Sequence, residues 1–190
     1  RSNGGKIILR IEDLDPDRCS KGYVKQLADD LRFLGLDWDN KLSDEYYQSS
    51  RTALYEDVFE RLLKRDMLYP CYCSRSQRLA ASAPHPGECT HDTGCRCRHL
   101  SHSERLELEI HVPEKVIIFT DGHYGVISQN LADDGDFIIR RSDGVYAYQL
   151  AASFDDMDMG VDRVVRGRDL LSSTARQIWL ISQLGGTPPE

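Results

Sequence analysis

The 190-residue sequence has no run of about 18 apolar residues, so nothing in it reads as a membrane-spanning helix. It also has no charged n-region followed by an apolar h-region, so no secretory leader is readable. It lacks an initial Met: the first residue is Arg1, which sets the expectation of a piece of something longer. No internal repeat is visible. An excess of positive charge is missing too, since 24 Lys and Arg against 31 Asp and Glu leave a net charge of −7. That argues against broad nonspecific nucleic-acid binding and leaves a local basic track open. Cysteine is nearly confined to one place, with five of the six between Cys71 and Cys97. So dense a cluster points to metal ligation in a reducing compartment, the cytoplasm, more than to a disulfide framework. What remains is the composition of a soluble globular protein, 40% apolar and 29% charged, long enough for one medium domain or a core with a small insert.

Along the chain, residues 7–11 (IILRI) form a short β-branched run, expected as a strand buried on both faces and stopped by Glu12, Asp13, Asp15 and Pro16. Val24, Leu27, Leu31 and Leu34 recur at helical spacing, and Gly35 stands where a helix C′ glycine belongs. A second helix is expected from about Arg51, with Leu54, Val58 and Leu62 on one stripe beside Tyr55 and Phe59. LYPCYC then reads as extended, with Pro70 limiting the helix before it. Residues 74–105 turn to Ser, Pro, His, Gly, Cys and Arg with little periodicity, after which Leu106, Leu108, Ile110 and Val112 alternate as in a half-buried strand. VIIFTDGHYGVI and DFIIRRSDGVYAY read as hairpins around Asp121-Gly122 and Asp143-Gly144. DRVVRGRDL is expected as a short strand and turn. Ser172, Ser173 and Thr174 can cap a last helix bearing Ile178, Leu180, Ile181 and Leu184. The pattern is α/β, interrupted by a β-rich insert, with expected parts 1–70, 71–150 and 151–190.

Two constellations carry candidate chemistry. In an open α/β sheet, ligands bind beyond the carboxyl ends of the strands. RIEDLD offers carboxylates at one such end and VVRGRD offers Arg166 and Arg168 at another. A zwitterion such as an amino acid wants both, an acid for its ammonium and a bidentate Arg for a carboxylate. Glu12 is the favoured acid. Asp15 and Asp17, ahead of a helix, read as capping residues, and Arg10 as a pairing partner for one of the acids. The second constellation is Cys71 and Cys73 followed by His85 and Cys89, which suits a tetrahedral zinc site, with Cys95, Cys97, His91 and His99 as rival ligands. Cys19 reads as an inert small residue. Tyr146 and Tyr148 are expected on one face of a strand, where one could line a pocket while the other packs. Asp155-Asp156 reads equally as a metal or ribose ligand or as a solvated turn. Trp38 and Trp179 are expected in the core. Arg140 and Arg141 could meet phosphates or guard a hairpin edge.

Taken together, GGKIILRIEDLDPDR, YYQSSR, LYPCYCSR, DFIIRRSDGVYAYQLA and VVRGRDLLSSTARQIWL resemble the catalytic core of class I glutamyl-tRNA synthetases over nearly the whole chain. Within that group the RGRDLLSSTARQ form and the Cys-rich segment are most similar to the shortened paralogues that lack an anticodon-binding domain. Ordinary members usually read RGEDHL there. The resemblance implies a Rossmann-like parallel sheet split by a zinc-containing, acceptor-type insert. It implies ATP-dependent activation of glutamate, with Mg²⁺, and transfer to queuosine in tRNA(Asp), by a protein that is monomeric at full length and needs no membrane. Glu12 would contact the glutamate ammonium, Tyr148 and Arg166 the glutamate itself, and Cys71, Cys73, His85 and Cys89 would hold Zn²⁺. His85 stands where the family often has Tyr.

The resemblance also calls for a HIGH-type segment and a KMSKS-type loop for ATP. Neither is in these 190 residues, nor is a G-x-G-x-x-G or GKS substitute. In this family the first strand would lie between residues 7–11 and roughly 162–166. The chain alone is therefore expected to be inactive in adenylation. Two competing readings stay open: an ordinary glutamyl-tRNA synthetase core, and a catalytically silent fragment that binds glutamate and zinc.

Overall fold

The computed structural model describes residues 4–15, 19–71 and 107–189. They fall into two compact units, 1–56 and 57–190, with the boundary inside one helix, between Glu56 and Asp57.

In the first unit the 7–11 run is not a strand. It forms one isolated parallel bridge, Ile11 to Tyr47, closed by Ile11 N–H to the Tyr46 carbonyl (2.8 Å) and Gln48 N–H to the Ile11 carbonyl (3.0 Å). Upstream, side chains stand in for a partner strand. Asp39 Oδ2 accepts from Ile7 N–H at 2.7 Å, and the Asn40 amide accepts from Leu9 N–H (2.8 Å) and donates to the Leu9 carbonyl (3.0 Å). Nor is the run buried on both faces: Ile11 is 6% exposed, whereas Ile7 and Ile8 are 41% and 38% exposed.

Helix α1 (Lys21–Phe33) starts at Ser20, whose Oγ accepts from Gly22 N–H. It ends as its glycine predicts. Gly35 has φ +73°, its N–H reaches the Arg32 carbonyl, and Leu36 N–H reaches the Leu31 carbonyl, which is the Schellman pattern. The expected apolar stripe is only partly covered: Ala28 is buried, Val24 and Leu31 are half-buried, and Leu27 and Leu34 are exposed.

Helix α2 (Thr52–Lys64) buries Tyr55, Val58, Phe59 and Leu62, while Leu54 sits at the rim. Pro70 does not end it. The chain turns at Asp66, which takes φ +55°, and Pro70 lies inside strand β1 (Leu68–Cys71). That strand is the edge of a three-stranded antiparallel sheet, where a missing N–H is tolerated. Its neighbours are β2 (Glu107–Ile110) and then β5 (Phe137–Arg140), with a bulge at Leu108/Glu109.

The hairpin expected around Asp121-Gly122 forms between β3 (Val116–Asp121) and β4 (Gly125–Asn130). Asp121 Oδ1 accepts from the Tyr124 and His123 N–H groups, which hold its carboxyl below the usual range. One helical turn, α3 (Leu131–Asp134), leads into β5. The Asp143-Gly144 turn also forms, but its second arm is only the Arg140–Tyr146 bridge, because a helix intervenes. All pairings between the named strands are antiparallel. Among the described residues the expected parallel layer shows only the Ile11–Tyr47 bridge.

Helix α4 (Tyr148–Asp158) forms where the sequence pattern predicts no helix. Tyr146 and Tyr148 do not share a strand face: Tyr146 is buried at the bridge, and Tyr148 opens the helix at 37% exposed. Asp155 and Asp156 are not a solvated turn, since Asp155 is fully buried in the helix. The helix was hidden because residues 150–155 are buried all round, so no 3.6-residue stripe is left to read. Residues 161–167 are not a strand, and Val165 is 92% exposed. They run into a 3-10 stretch, Arg168–Ser173, and then α5 (Thr174–Leu184). Ser173 is the N-cap residue of α5, but it makes no side-chain cap hydrogen bond, because its backbone is already helical.

The core of the second unit joins Ile110, Leu131, Ile139, Leu150 and Leu180, all fully buried, with Trp179 set edge-on to Phe137. The C-terminal carbonyls of α5 are capped by cations from α2 and its end, Arg61 to Leu184 (3.0 Å) and Arg65 to Gln183 (2.5 Å). No described helix is long and apolar enough to cross a membrane.

Candidate functional site

Arg166 lies on the irregular segment, yet its guanidinium is tied to the first turns of α5. Nη1 donates to Gln177 Oε1 and Nη2 donates to Thr174 Oγ1 at 2.6 Å. Among the described residues these engage two of its five N–H donors, and three remain for a ligand. The start of α4 is fastened to the same place, because Gln149 Nε2 donates to Ser173 Oγ at 2.9 Å. The fold therefore carries Tyr148 and Arg166, 18 positions apart in sequence, to two adjoining helix starts.

Tyr148 and Gln149 line a shallow cleft of about 350 Å³ with Glu109, Asp136 and Ile138. At that cleft the Tyr69 hydroxyl meets two carboxylates, Asp136 Oδ2 at 2.6 Å and Glu109 Oε2 at 3.0 Å. Asp136 Oδ1 also accepts from Val112 N–H at 2.8 Å. Burial, then the Glu109 and Asp136 charges, push the Tyr69 phenol well above its ordinary value.

The sign of the consequence follows from linkage. The unfolded chain loses this proton near pH ~10 while the folded chain keeps it. The stability Tyr69 supplies is therefore complete below about pH 10 and is lost as pH rises through the folded value. Between about pH 10 and 11, wild-type stability should fall by up to ~1.4 kcal/mol more than that of Tyr69→Phe. Equal slopes in urea denaturation of the two proteins would remove this account.

In the first unit, Glu12 accepts from Arg10 Nη2 at 3.2 Å, so Arg10 does pair with one of the acids. The Glu12 side chain is still 44% exposed. Asp13 is committed elsewhere, with its two oxygens on Ser49 N–H (2.9 Å) and Ser49 Oγ (2.7 Å). Cys19 Sγ lies 3.6 Å from the Glu12 carbonyl. Arg140 is stacked over Phe59 and Tyr146, and Arg141 pairs with Asp143 at 2.5 Å, so the hairpin cations have local partners.

Of the zinc candidates, Cys71 is buried at the end of β1. Cys73, His85 and Cys89, like the rivals Cys95, Cys97, His91 and His99, lie outside the described residues. Among the described residues no group of three or more His, Cys, Asp or Glu is arranged to hold a metal. Sequence reading missed Thr174 and Gln177 as partners of Arg166, and the Tyr69–Glu109–Asp136 set. A Gln 11 positions downstream carries no local signal of the bond it makes.

With this geometry in hand, comparison with known proteins decides the family. The model of class I tRNA synthetases (E and Q), catalytic domain, matches residues 1–190. The chain belongs to this family. Its fold is accordingly the α/β catalytic fold of class I synthetases. A glutamate tRNA ligase from Elizabethkingia meningosepticum, crystallised with its amino acid, superposes with a TM-score of 0.79 at 25% identity. It covers 99% of this chain and 42% of the ligase. Among curated relatives, the glutamyl-Q tRNA(Asp) synthetase of Nitratidesulfovibrio vulgaris is 44% identical over 207 residues, covering all of this chain and 63% of that protein. The protein of the same name from Symbiobacterium thermophilum is 43% identical, with all of this chain and 64% of that protein covered. This class I catalytic chain thus spans somewhat less than two thirds of the length of those relatives.

Proposed function

We propose that the protein containing this chain activates glutamate with ATP and transfers it to queuosine of tRNA(Asp). The observation that carries the reading is the Arg166 guanidinium, held by Thr174 and Gln177 beside the start of the helix that bears Tyr148. Support for the substrate comes from the names of relatives such as that of Nitratidesulfovibrio vulgaris, 44% identical. In this reading Arg166 takes a glutamate carboxylate, Tyr148 lies against the substrate, and Glu12 keeps the ammonium. The reacting carboxylate oxygen attacks the α-phosphorus of ATP, an O–P bond forms, and pyrophosphate leaves with the electrons of the broken Pα–O bond. The residues of this chain contribute positioning, which such a reaction needs most. Class I synthetases use ATP with Mg²⁺, whose role is to neutralise developing phosphate charge. The division into parts 1–70, 71–150 and 151–190 belongs to the same proposal.

The deciding experiment is charging of purified tRNAs by the complete protein. Queuosine-containing tRNA(Asp) is expected to accept glutamate, and queuosine-free tRNA(Asp) and tRNA(Glu) are not. Charging of tRNA(Glu) would replace the proposal with an ordinary glutamyl-tRNA synthetase.

Zinc on Cys71, Cys73, His85 and Cys89 is proposed alongside. A buried Cys71 anchored at a strand end suits a fixed thiolate, and zinc favours a Cys₃His set. Metal analysis of protein never exposed to chelator should then find one zinc per chain, and finding none removes the site.

A further inference from the structure

We infer that Gln177, together with Thr174, is a positioning residue that sets the plane of the Arg166 guanidinium for a substrate carboxylate. This rests on the reading of Arg166 as a glutamate-binding group. A guanidinium only donates, so the amide atom facing Arg166 Nη1 must be the Gln177 oxygen. Thr174 Oγ1 accepts from Nη2 at 2.6 Å. The two acceptors stand three residues apart on one face of α5. Each Nη atom is therefore fixed to a regular helix. The segment that carries Arg166 could not do this, being irregular and exposed to the extent of 92% at Val165. Orientation matters because an Arg grips a carboxylate through two parallel N–H groups, and rotation of its plane breaks one of them.

The other half of the same amide supplies the second observation. Gln177 is 6% exposed, and its Nε2 is buried with no hydrogen-bond partner among the described residues. A buried donor left unsatisfied destabilises a fold. Met, of nearly the same length, would carry no such penalty, so the bond accepted from Arg166 is the one gain the amide brings here.

The experiment is ATP–pyrophosphate exchange against glutamate concentration, in the complete protein carrying Gln177→Met, Arg166→Ala, or both. Gln177→Met is expected to raise the KM for glutamate roughly 10-fold, the loss of one hydrogen bond to a charged group. It should leave kcat within about threefold and the KM for ATP unchanged, because binding and not chemistry is weakened. Its melting temperature should stay close to wild type, because the bond lost with the oxygen and the relief of the unsatisfied buried nitrogen offset each other. In the Arg166→Ala background the second substitution should add nothing, since the group it orients is gone. Thr174→Val removes the other acceptor and should move the KM in the same direction, which keeps the test open if Gln177→Met does not fold.

An unchanged KM in Gln177→Met beside a raised KM in Arg166→Ala overturns the positioning role. So does a double variant in which the two effects multiply. An unchanged KM in Arg166→Ala instead removes the reading of Arg166 on which the inference stands.

Discussion

Arg166→Ala in the complete protein should raise the KM for glutamate in pyrophosphate exchange by about 100-fold or more, the scale of losing a desolvated, charge-assisted carboxylate contact. The residue is half-buried and two of its donors are already spent on Gln177 and Thr174, so the contact it offers is held in one orientation. Arg166→Lys should recover little. One ammonium group cannot reach two acceptors on α5 and also present a planar fork to the substrate. The KM for ATP should stay near wild type, and folding stability should fall by no more than the loss of two hydrogen bonds, about 1–3 kcal/mol in all. A glutamate KM within twofold of wild type, in folded protein, would dismiss Arg166 as the carboxylate ligand.

Trp179→Ala should cost about 3–5 kcal/mol of folding stability, the range for truncating a large buried aromatic. Trp179 is 3% exposed and edge-on to Phe137, with Leu180 and Ile181 buried beside it on α5. Its loss would loosen the helix whose first turns hold Arg166. Trp38→Ala should cost much less, about 1 kcal/mol, because Trp38 is only half-buried, with the Arg32 guanidinium 5.0 Å above its ring, an arrangement of modest worth. Urea denaturation of the two variants checks the ordering. Equal losses would mean that burial does not separate these residues.

That contrast shows where sequence reasoning stops. Both tryptophans were expected in the core. Their flanks hint at the difference, with Asp37 and Asp39 beside Trp38 and Ile178 and Leu180 beside Trp179, and the packing around each one decides it. Local punctuation read well: Gly35 closes α1 in the left-handed conformation that a β-carbon disfavours, and Asp121 and Gly144 turn the chain where their spacing indicated. Elements whose surroundings come from distant parts of the chain read badly. The 7–11 run looked like a strand because its residues are β-branched and apolar, yet Asp39 and Asn40 take over its backbone groups and Ile7 and Ile8 stay exposed. Helix α4 escaped because burial on every side erases the periodicity that marks a helix.

By itself, then, the order of residues settled the end of α1 at Gly35, the turns at Asp121 and Gly144 and the identities of Glu12, Tyr148 and Arg166 as candidates, along with the family they suggest. These follow from backbone preferences and side-chain chemistry that act within a few positions. Tertiary structure decided which donors of Arg166 are occupied, that Tyr148 opens a helix, and that Tyr69 bridges Glu109 and Asp136 across 40 and 67 positions of chain. The physical reason is range. A turn or a cap needs only its neighbours, whereas burial and a hydrogen bond between distant residues exist only once the chain has closed on itself.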